Sequence, residues 1–543
     1  LYIAIPFVIS SILFIRWMNE TPIPCAASGN KRIIKLLTSI FFIIFSLAVL
    51  VLHSSQIRPH SFFFLESVLF CLIFISFYLT RNHSTQVHSI ILIQTMLLLL
   101  IEIWSVTLNY NTFIGRTDFS GHEALTRIIV SSGYVQDIVE YYDAFPLWHI
   151  LTSTGNLIFS SIPISDTMFI INGIIYSAII IGVYCLAKRI TNNENAALMA
   201  SIILVLFPDF IFYGMYSIAR SPVILLWVIA LILFYGERTI ISRTIILFIL
   251  AITIIYHTVS SLSILLILSI LFLAQSRLVF KKCGKGGQFE YDLSTISLFG
   301  ITILTYWLIN SEILFNSIAA SFNLDVPSNI SMSFSIEEAI SEAFNYSSYS
   351  IFIMFILIGV FIIIFNKNYR NLMGIALTTI ILSLLGFPGL GNLTGHGAVD
   401  AELTRLLIYS VPILVIIASL GLNFICNNIK HKFIPILIIL ILIFAFVSVS
   451  NDFVASDNPI QKRQSYTFVL QDSEVQTCSY LGQKANSEIY SDYVMSAYLI
   501  KGLGYQNTNV IRVTDNNEVF LSIPNDSMIL LRESEWQDRS LRL

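Results

Sequence analysis

Charge is scarce in this chain. Of 543 residues only 12% are Asp, Glu, Lys or Arg, about half the ~25% of soluble domains. That shortage excludes disorder and fibrous repeats, and all but excludes an ordinary soluble enzyme. A strong net charge is missing too: the balance is −3, so nothing points to a nucleic-acid partner. Cysteine is sparse and unpatterned. Cys25, Cys71, Cys185, Cys283, Cys426 and Cys478 form no CxxC and no metal-ligand spacing. They read as core thiols and reveal no redox compartment. The opening stretch Leu1–Ile15 lacks the charged front and small-residue exit of a cleavable signal.

Apolar residues are abundant: 56% of the chain is hydrophobic, with 41 Phe and 24 Tyr. This is the composition of a polytopic membrane protein. A crossing helix needs about 20 apolar residues, within a range of about 17–25. Fourteen segments are candidates: 1–16, 33–52, 61–80, 89–107, 165–187, 195–208, 221–236, 242–256, 258–274, 294–310, 350–366, 371–387, 402–424 and 433–450. Basic residues test the alternation. With 17–32 placed inside, the inside segments hold seventeen Lys and Arg, and the outside loops before residue 451 hold four: Arg58, Arg116, Arg127 and Arg220. That asymmetry supports both the count and the direction. It requires 146–160, with Pro146, Trp148 and His149, to lie on the outer surface as an interfacial helix.

The expected fold is therefore an all-α polytopic membrane domain over 1–450, with about 14 transmembrane helices. A small α/β extracytoplasmic domain is expected over 451–543. There, runs such as Asn509–Val513 and Ser527–Leu531 read as strands beside a helical stretch Asp492–Ile500. Long outer loops are expected at 108–164 and 311–349. The active site is expected on the extracytoplasmic side.

Polar residues in a membrane protein mark function, because lipid-facing positions cannot hold them. The first outer loop carries Arg116, Asp118, His122 and Glu123, then Tyr142, Asp143, Pro146 and His149. A helix starting near Ser120 would bring Asp118 and Glu123 near one another, with His122 adjacent. Carboxylates at a membrane surface suit general-base or metal-ligand roles; a solvated loop with helix-capping residues is the plain alternative. Arg220, His257, His396, Asp400, Glu402 and Arg405 fall on the same face. Arg405 stands one turn inside the bilayer, where it needs an anionic partner. Pairing with Glu402 or Asp400 would supply one, Arg220 could instead snorkel to headgroups, and His257 could be a hydrogen-bonded interfacial ring. Glu66 and Glu102 sit inside spans, with no role beyond pairing. The outer space lacks ATP and sugar nucleotides, so a site there draws on an energised donor already in the membrane. A lipid-linked phosphate is such a donor, and Arg220 or Arg405 could grip it bidentately.

The layout resembles the GT-C superfamily of integral membrane glycosyltransferases, especially the protein mannosyltransferase and aminoarabinose transferase group. The resemblance runs over roughly 108–505. It is carried by the Asp-containing loop (Asp118, His122, Glu123) and the following Tyr142-x-x-x-Pro146-Leu-x-His149. Further matches are Asn195–Ser201, Phe207-Pro208, Tyr216-x-x-x-Arg220, Glu402-x-x-Arg405 and Glu488–Asp492 in the tail. It implies an inverting enzyme that moves a sugar from a polyprenyl-phosphate carrier to an acceptor hydroxyl on a glycan, lipid or protein. By the same resemblance Asp118 would be the general base, with His122 and Glu123 as helpers or ligands of a divalent metal ion. Arg220 and Arg405 would bind the donor phosphate, and Tyr142, Asp143, His149, His257 and Glu402 the substrates. Two features depart from the family: four spans precede the loop, and the usual adjacent acidic pair is absent. Three other readings stand beside it: a lipid-linked oligosaccharide flippase or other transporter, a polysaccharide polymerase or ligase, and a structural subunit. A transporter should show repeats and mid-bilayer polar segments. A polymerase usually has Arg-rich outer loops, whereas 311–349 has no Lys or Arg.

Overall fold

A computed structural model describes the chain except residues 1–2, 19–30, 56–57, 81–84, 110–111, 114–117, 136–141, 238, 276–292, 322–335, 388–396, 451–468, 485–486, 512–523, 525 and 533–543. Helices dominate it. The first four are α1 (Ala4–Met18), α2 (Lys31–His53), α3 (His60–Thr80) and α4 (Thr85–Asn109). A two-residue strand β1 (Thr112–Phe113) follows, then α5 (Asp118–Ser132) and α6 (Leu147–Ile158). The middle of the chain forms α7 (Ile164–Thr191), α8 (Glu194–Leu204), α9 (Pro208–Tyr216), α10 (Arg220–Phe234), α11 (Ile240–Tyr256) and α12 (Ser260–Gln275). The bundle closes with α13 (Leu293–Asn310), α14 (Glu312–Ser321), α15 (Ile336–Phe365), α16 (Met373–Gly386), α17 (Gly397–Asn428) and α18 (Ile434–Ser450).

Among the described residues, eight helices are long and apolar enough to cross a membrane, or up to nine if the bent pair α8–α9 counts as one span. The chain is thus predominantly helical, with the long apolar helices of a membrane-embedded protein. Each of the fourteen sequence candidates overlaps a helix, but 195–208 runs across the break between α8 and α9, and α1, α10, α11, α12 and α18 are the shorter apolar ones. At ~1.5 Å per residue, helices of 14–17 residues are shorter than a ~30 Å hydrocarbon core. The segment 311–349 departs from expectation: α14 and the first turns of α15 occupy both of its ends.

Local chemistry explains the breaks. Pro208 has no N–H to give, so α8 stops before it and α9 starts at it, with a 57° bend. Ser217, at φ +50°, ends α9 in the left-handed region. Asn192, at φ +49°, ends α7, and Lys188 and Arg189 lie in its last turn, where cations offset the helix dipole. Asn193 caps α8 by accepting from the Ala196 N–H at 3.1 Å.

Packing is uneven, and the unevenness locates the core. Of the apolar window in α17, 94% is buried, against 17% of that in α2. So α17 is the inner post of the bundle and α2 an outer helix with most of its apolar surface exposed. Two glycines let α15 and α17 touch closely: a Cβ at Gly359 would overlap the Ile417 carbonyl, and one at Gly421 the Phe355 carbonyl. Close backbone approach through small residues is how helices associate without a hydrophobic drive between them.

The two ends of the bundle differ. At one end α4 begins, α7 finishes and α8 begins. There Lys188 pairs with Glu194 at 2.6 Å, and His88 lies 3.7 Å from the same carboxylate. At the other end, β1 pairs antiparallel with β2 (Val469–Leu470), placing Thr112 opposite Leu470. The first long loop and the tail, expected on one side of the membrane, are thus joined by backbone hydrogen bonds. The tail continues through α19 (Asp472–Lys484), β3 (Ile489–Ser491), α20 (Tyr493–Ala497), β4 (Thr508–Val510) and β5 (Met528–Leu530). Here β3 is the central strand of a parallel sheet, order β4-β3-β5. Asp492 accepts from the Val494 and Met495 N–H groups, capping α20, and takes a 3.0 Å bond from buried Arg532. Arg532 also donates to the Val469 carbonyl at 3.3 Å, tying this sheet to the β1–β2 clip.

Candidate active site at the clipped end of the bundle

Helix α5 opens at Asp118, two residues before the expected start. The Asp118 side chain lies outside the described residues, as do those of Asp400 and Glu402 and all of Arg116 and His396. One turn beyond Asp118 stands His122, and another turn on, Thr126. On α6, His149, Thr152 and Ser153 share one face by the same spacing. The two faces meet. His122 Nδ1 and His149 Nε2 are 2.8 Å apart, so one imidazole donates and the other accepts. The Thr126 and Thr152 hydroxyls bond at 2.9 Å, and Ser153 donates to the Thr126 carbonyl at 3.2 Å. Tyr142 sets its ring edgewise to both imidazoles, 5.1 Å and 5.5 Å between centroids. Burial pushes His149 down to about 4, so this ring is neutral at pH 7. The opposite face of α6 exposes Ile150, Leu157 and Ile158. A helix with its polar face inward and its apolar face outward fits the expected interfacial position.

The corner between α9 and α10 supplies the first cation. The Ser217 hydroxyl donates to the Met168 carbonyl at 2.8 Å, fixing the turn. Arg220, the first residue of α10, lies over the Tyr213 ring at 5.0 Å and donates from Nε to His257 Nε2 at 3.4 Å. His257 fills the break between α11 and α12. Its Nδ1 lies 2.8 Å from Ser260 Oγ, and that hydroxyl also bonds the Tyr409 hydroxyl of α17. The Tyr409 carbonyl accepts from Trp227 Nε1 of α10 at 2.9 Å. Arg405 precedes Tyr409 by one turn and is half-buried. Burial holds His257 well below the ordinary histidine range, and Arg220, His122 and Arg405 oppose its protonation in the same direction.

Four separated segments therefore converge: α5 through His122, the α9–α10 corner through Arg220, the α11–α12 break through His257, and α17 through Arg405 and Tyr409. Two predicted residues lie elsewhere. Glu123 bonds Arg127 at 2.7 Å and has Asp166 and the tail's Tyr498 as electrostatic neighbours. Burial raises its pKa and Arg127 works against that rise. Asp143 is exposed. Sequence reasoning missed Ser260, Tyr409, Tyr213 and the Thr126–Thr152 pair. Tyr409 had a signal, standing four residues after Arg405 on one helix face. It also passed over Asp209, at the start of α9, which accepts from the Tyr349 hydroxyl at 2.8 Å.

No known family model matches the chain, and no curated protein matches it. Among the described residues, no group of three or more His, Cys, Asp or Glu is placed to hold a metal ion. The two candidate ligands on α5 are committed in different directions, His122 to His149 and Glu123 to Arg127. The described side chains therefore form no ligand set for a divalent metal.

Proposed function

We propose that the chain is a membrane glycosyltransferase of the GT-C type, using a sugar carried on polyprenyl phosphate, with about fourteen crossings and an extracytoplasmic tail domain. The observation that carries this reading is the gathering of Arg220 and Arg405 around a neutral His257 at one end of the bundle. That is the end joined to the tail and to the lipid-facing helix α6. Two guanidinium groups in a chain of long apolar helices suit an oxyanion that arrives by diffusion within the membrane.

The chemistry follows from charge. The acceptor hydroxyl gives its proton to Asp118 as its oxygen attacks the anomeric carbon from the face opposite the carrier. The bond from that carbon to the phosphate oxygen breaks, and the electron pair leaves on the phosphate, where Arg220 and Arg405 stabilise it. The sugar configuration inverts. General-base help is worth about 10²–10⁴-fold. The test is transfer of radiolabelled sugar from polyprenyl-phosphate donors in membranes. Asp118→Asn keeps the shape without the base, so turnover falls by about 10² or more. Near-normal transfer by this variant eliminates Asp118 as base.

A lipid-linked-sugar transporter is the second reading, favoured by one observation. Glu66 of α3 and Glu102 of α4 are both buried within crossing helices, close enough for each to feel the other's charge. Ionisable groups at such depth commonly serve ion or substrate pathways. Movement of a fluorescent lipid-linked sugar across vesicles, with no sugar transferred by the wild type, would favour it.

A further inference from the structure

We propose that His257 is a positioning residue for Arg220: its Nε2 accepts from Arg220 Nε and aims the guanidinium at the lipid phosphate. This rests on the reading of Arg220 as a phosphate ligand. Arginine only donates, so the 3.4 Å contact assigns a bare lone pair to Nε2. A neutral imidazole then carries its proton on Nδ1. Nδ1–H donates to Ser260 Oγ at 2.8 Å, and Ser260 in turn bonds the Tyr409 hydroxyl. The Val259 and Ser260 N–H groups lie farther from Nδ1, at 3.4 Å and 3.3 Å, and would suit the opposite tautomer. These amides are obligatory donors, as Arg220 is, so the choice falls on charge. A lone pair facing a guanidinium makes a charge-assisted bond roughly twice as strong as one facing a neutral amide, and the Ser260 hydroxyl can accept from Nδ1–H.

The neighbourhood keeps this arrangement. Facing His257 are Arg220 from α10, His122 from α5, and Arg405 and Tyr409 from α17. Two arginines beside the ring disfavour a third cation, and a protonated His257 would turn its Nε2 donor toward a donor. Meanwhile Arg220 is held at one edge by His257 and across one face by Tyr213. A guanidinium held at edge and face is pre-oriented, so less side-chain freedom is lost when it grips an oxyanion.

The probe is dolichyl phosphate, which lacks the unknown sugar, binding to the full chain in nanodiscs. Arg220→Ala should weaken binding by about 10-fold or more, as expected for a lost charge-assisted bond. His257→Phe should weaken it by roughly 5–10-fold. His257→Gln should return to within about 3-fold of wild type, because its Oε1 reproduces the Nε2 acceptor. His257→Asn reaches only the Nδ1 position and should bind as weakly as the Phe variant. In an Arg220→Lys background, His257→Phe should add little, since its effect passes through the fork. Equal losses in the Gln and Phe variants, or full additivity with Arg220→Lys, would overturn the positioning role while leaving Arg220 a ligand. Unchanged binding in Arg220→Ala would overturn the phosphate reading and the positioning role together.

Discussion

Two buried polar groups in this bundle obey opposite rules. Around His257 the side chains form a relay of donors and acceptors: Arg220 to the imidazole, imidazole to Ser260, Ser260 to Tyr409, and Trp227 to the Tyr409 carbonyl. Between α3 and α4, two carboxyl groups sense each other, and neither oxygen of Glu102 has a hydrogen-bond partner among the described residues. A satisfied network fixes geometry, which a binding site needs. An unsatisfied buried acid costs stability, and a chain retains one only where its chemistry is used. The contrast separates a region whose side chains hold one another in place from one where a buried carboxyl has no hydrogen-bond partner among the described residues.

The largest effect expected from this contrast is at Glu102. Glu102→Met removes one of two facing acids and roughly keeps the volume. It should raise the unfolding temperature, with a gain of about 1–3 kcal/mol from relief of an unsatisfied buried group. Thermal unfolding in detergent measures it. If the pair serves ion movement, the same variant loses transport while sugar transfer persists. Destabilisation by Glu102→Met would mean that the acid has a structural partner, and the contrast would collapse.

Opposite in sign and smaller is Tyr409→Phe. The hydroxyl it deletes completes the chain from His257, so Ser260 loses one of its two partners. The expected cost is about 1 kcal/mol, the usual net worth of one hydrogen bond. A fall in unfolding temperature should come with weaker dolichyl phosphate binding, because the His257 tautomer is less firmly held. Unchanged stability and binding would show that the network ends at Ser260.

How much of this was legible beforehand depends on what kind of signal each feature leaves. The helices were readable because lipid demands long apolar runs. Every sequence candidate from 33–52 to 433–450 overlaps a helix, although 195–208 is broken ahead of Pro208. The β1–β2 clip was not readable, for two residues such as Thr112 and Phe113 carry no periodicity, and their partner lies more than 350 positions away. Arg220, His257 and Arg405 stood out as polar residues at apolar ends, and they do converge. Glu123 stood out equally, but adjacent helical positions point about 100° apart, so when His122 faces α6 its neighbour turns toward the tail. Spacing alone could not say which of the two faced inward, because that depends on the α5–α6 contact.

Glu123 gives the smallest and most conditional prediction, since two opposing effects nearly cancel there. Partial burial raises its folded-state pKa above the ordinary ~4.3. The folded chain therefore keeps that proton to higher pH than the unfolded chain does. Its contribution is favourable below about pH 4.3 and is lost as pH rises through the folded value. Arg127, 2.7 Å away and half exposed at 49% of its side chain, pulls the other way. A surface pair of this kind is worth about 0.3–0.5 kcal/mol. Burial is the larger cause, so at pH 7 Glu123→Gln should match wild type or exceed it by under ~1 kcal/mol. Below pH 4 that advantage should disappear, because glutamine has no proton to take up while the wild-type carboxyl does. Raising the salt concentration should widen the advantage at pH 7, since salt screens the exposed ion pair and leaves the burial cost in place. Unfolding temperatures of both chains at pH 7 and pH 4, each in low and high salt, measure all three effects. A Glu123→Gln variant less stable than wild type at pH 7 by more than ~1 kcal/mol would show that the ion pair outweighs burial. Glu123 would then be a structural clamp between α5 and its surroundings.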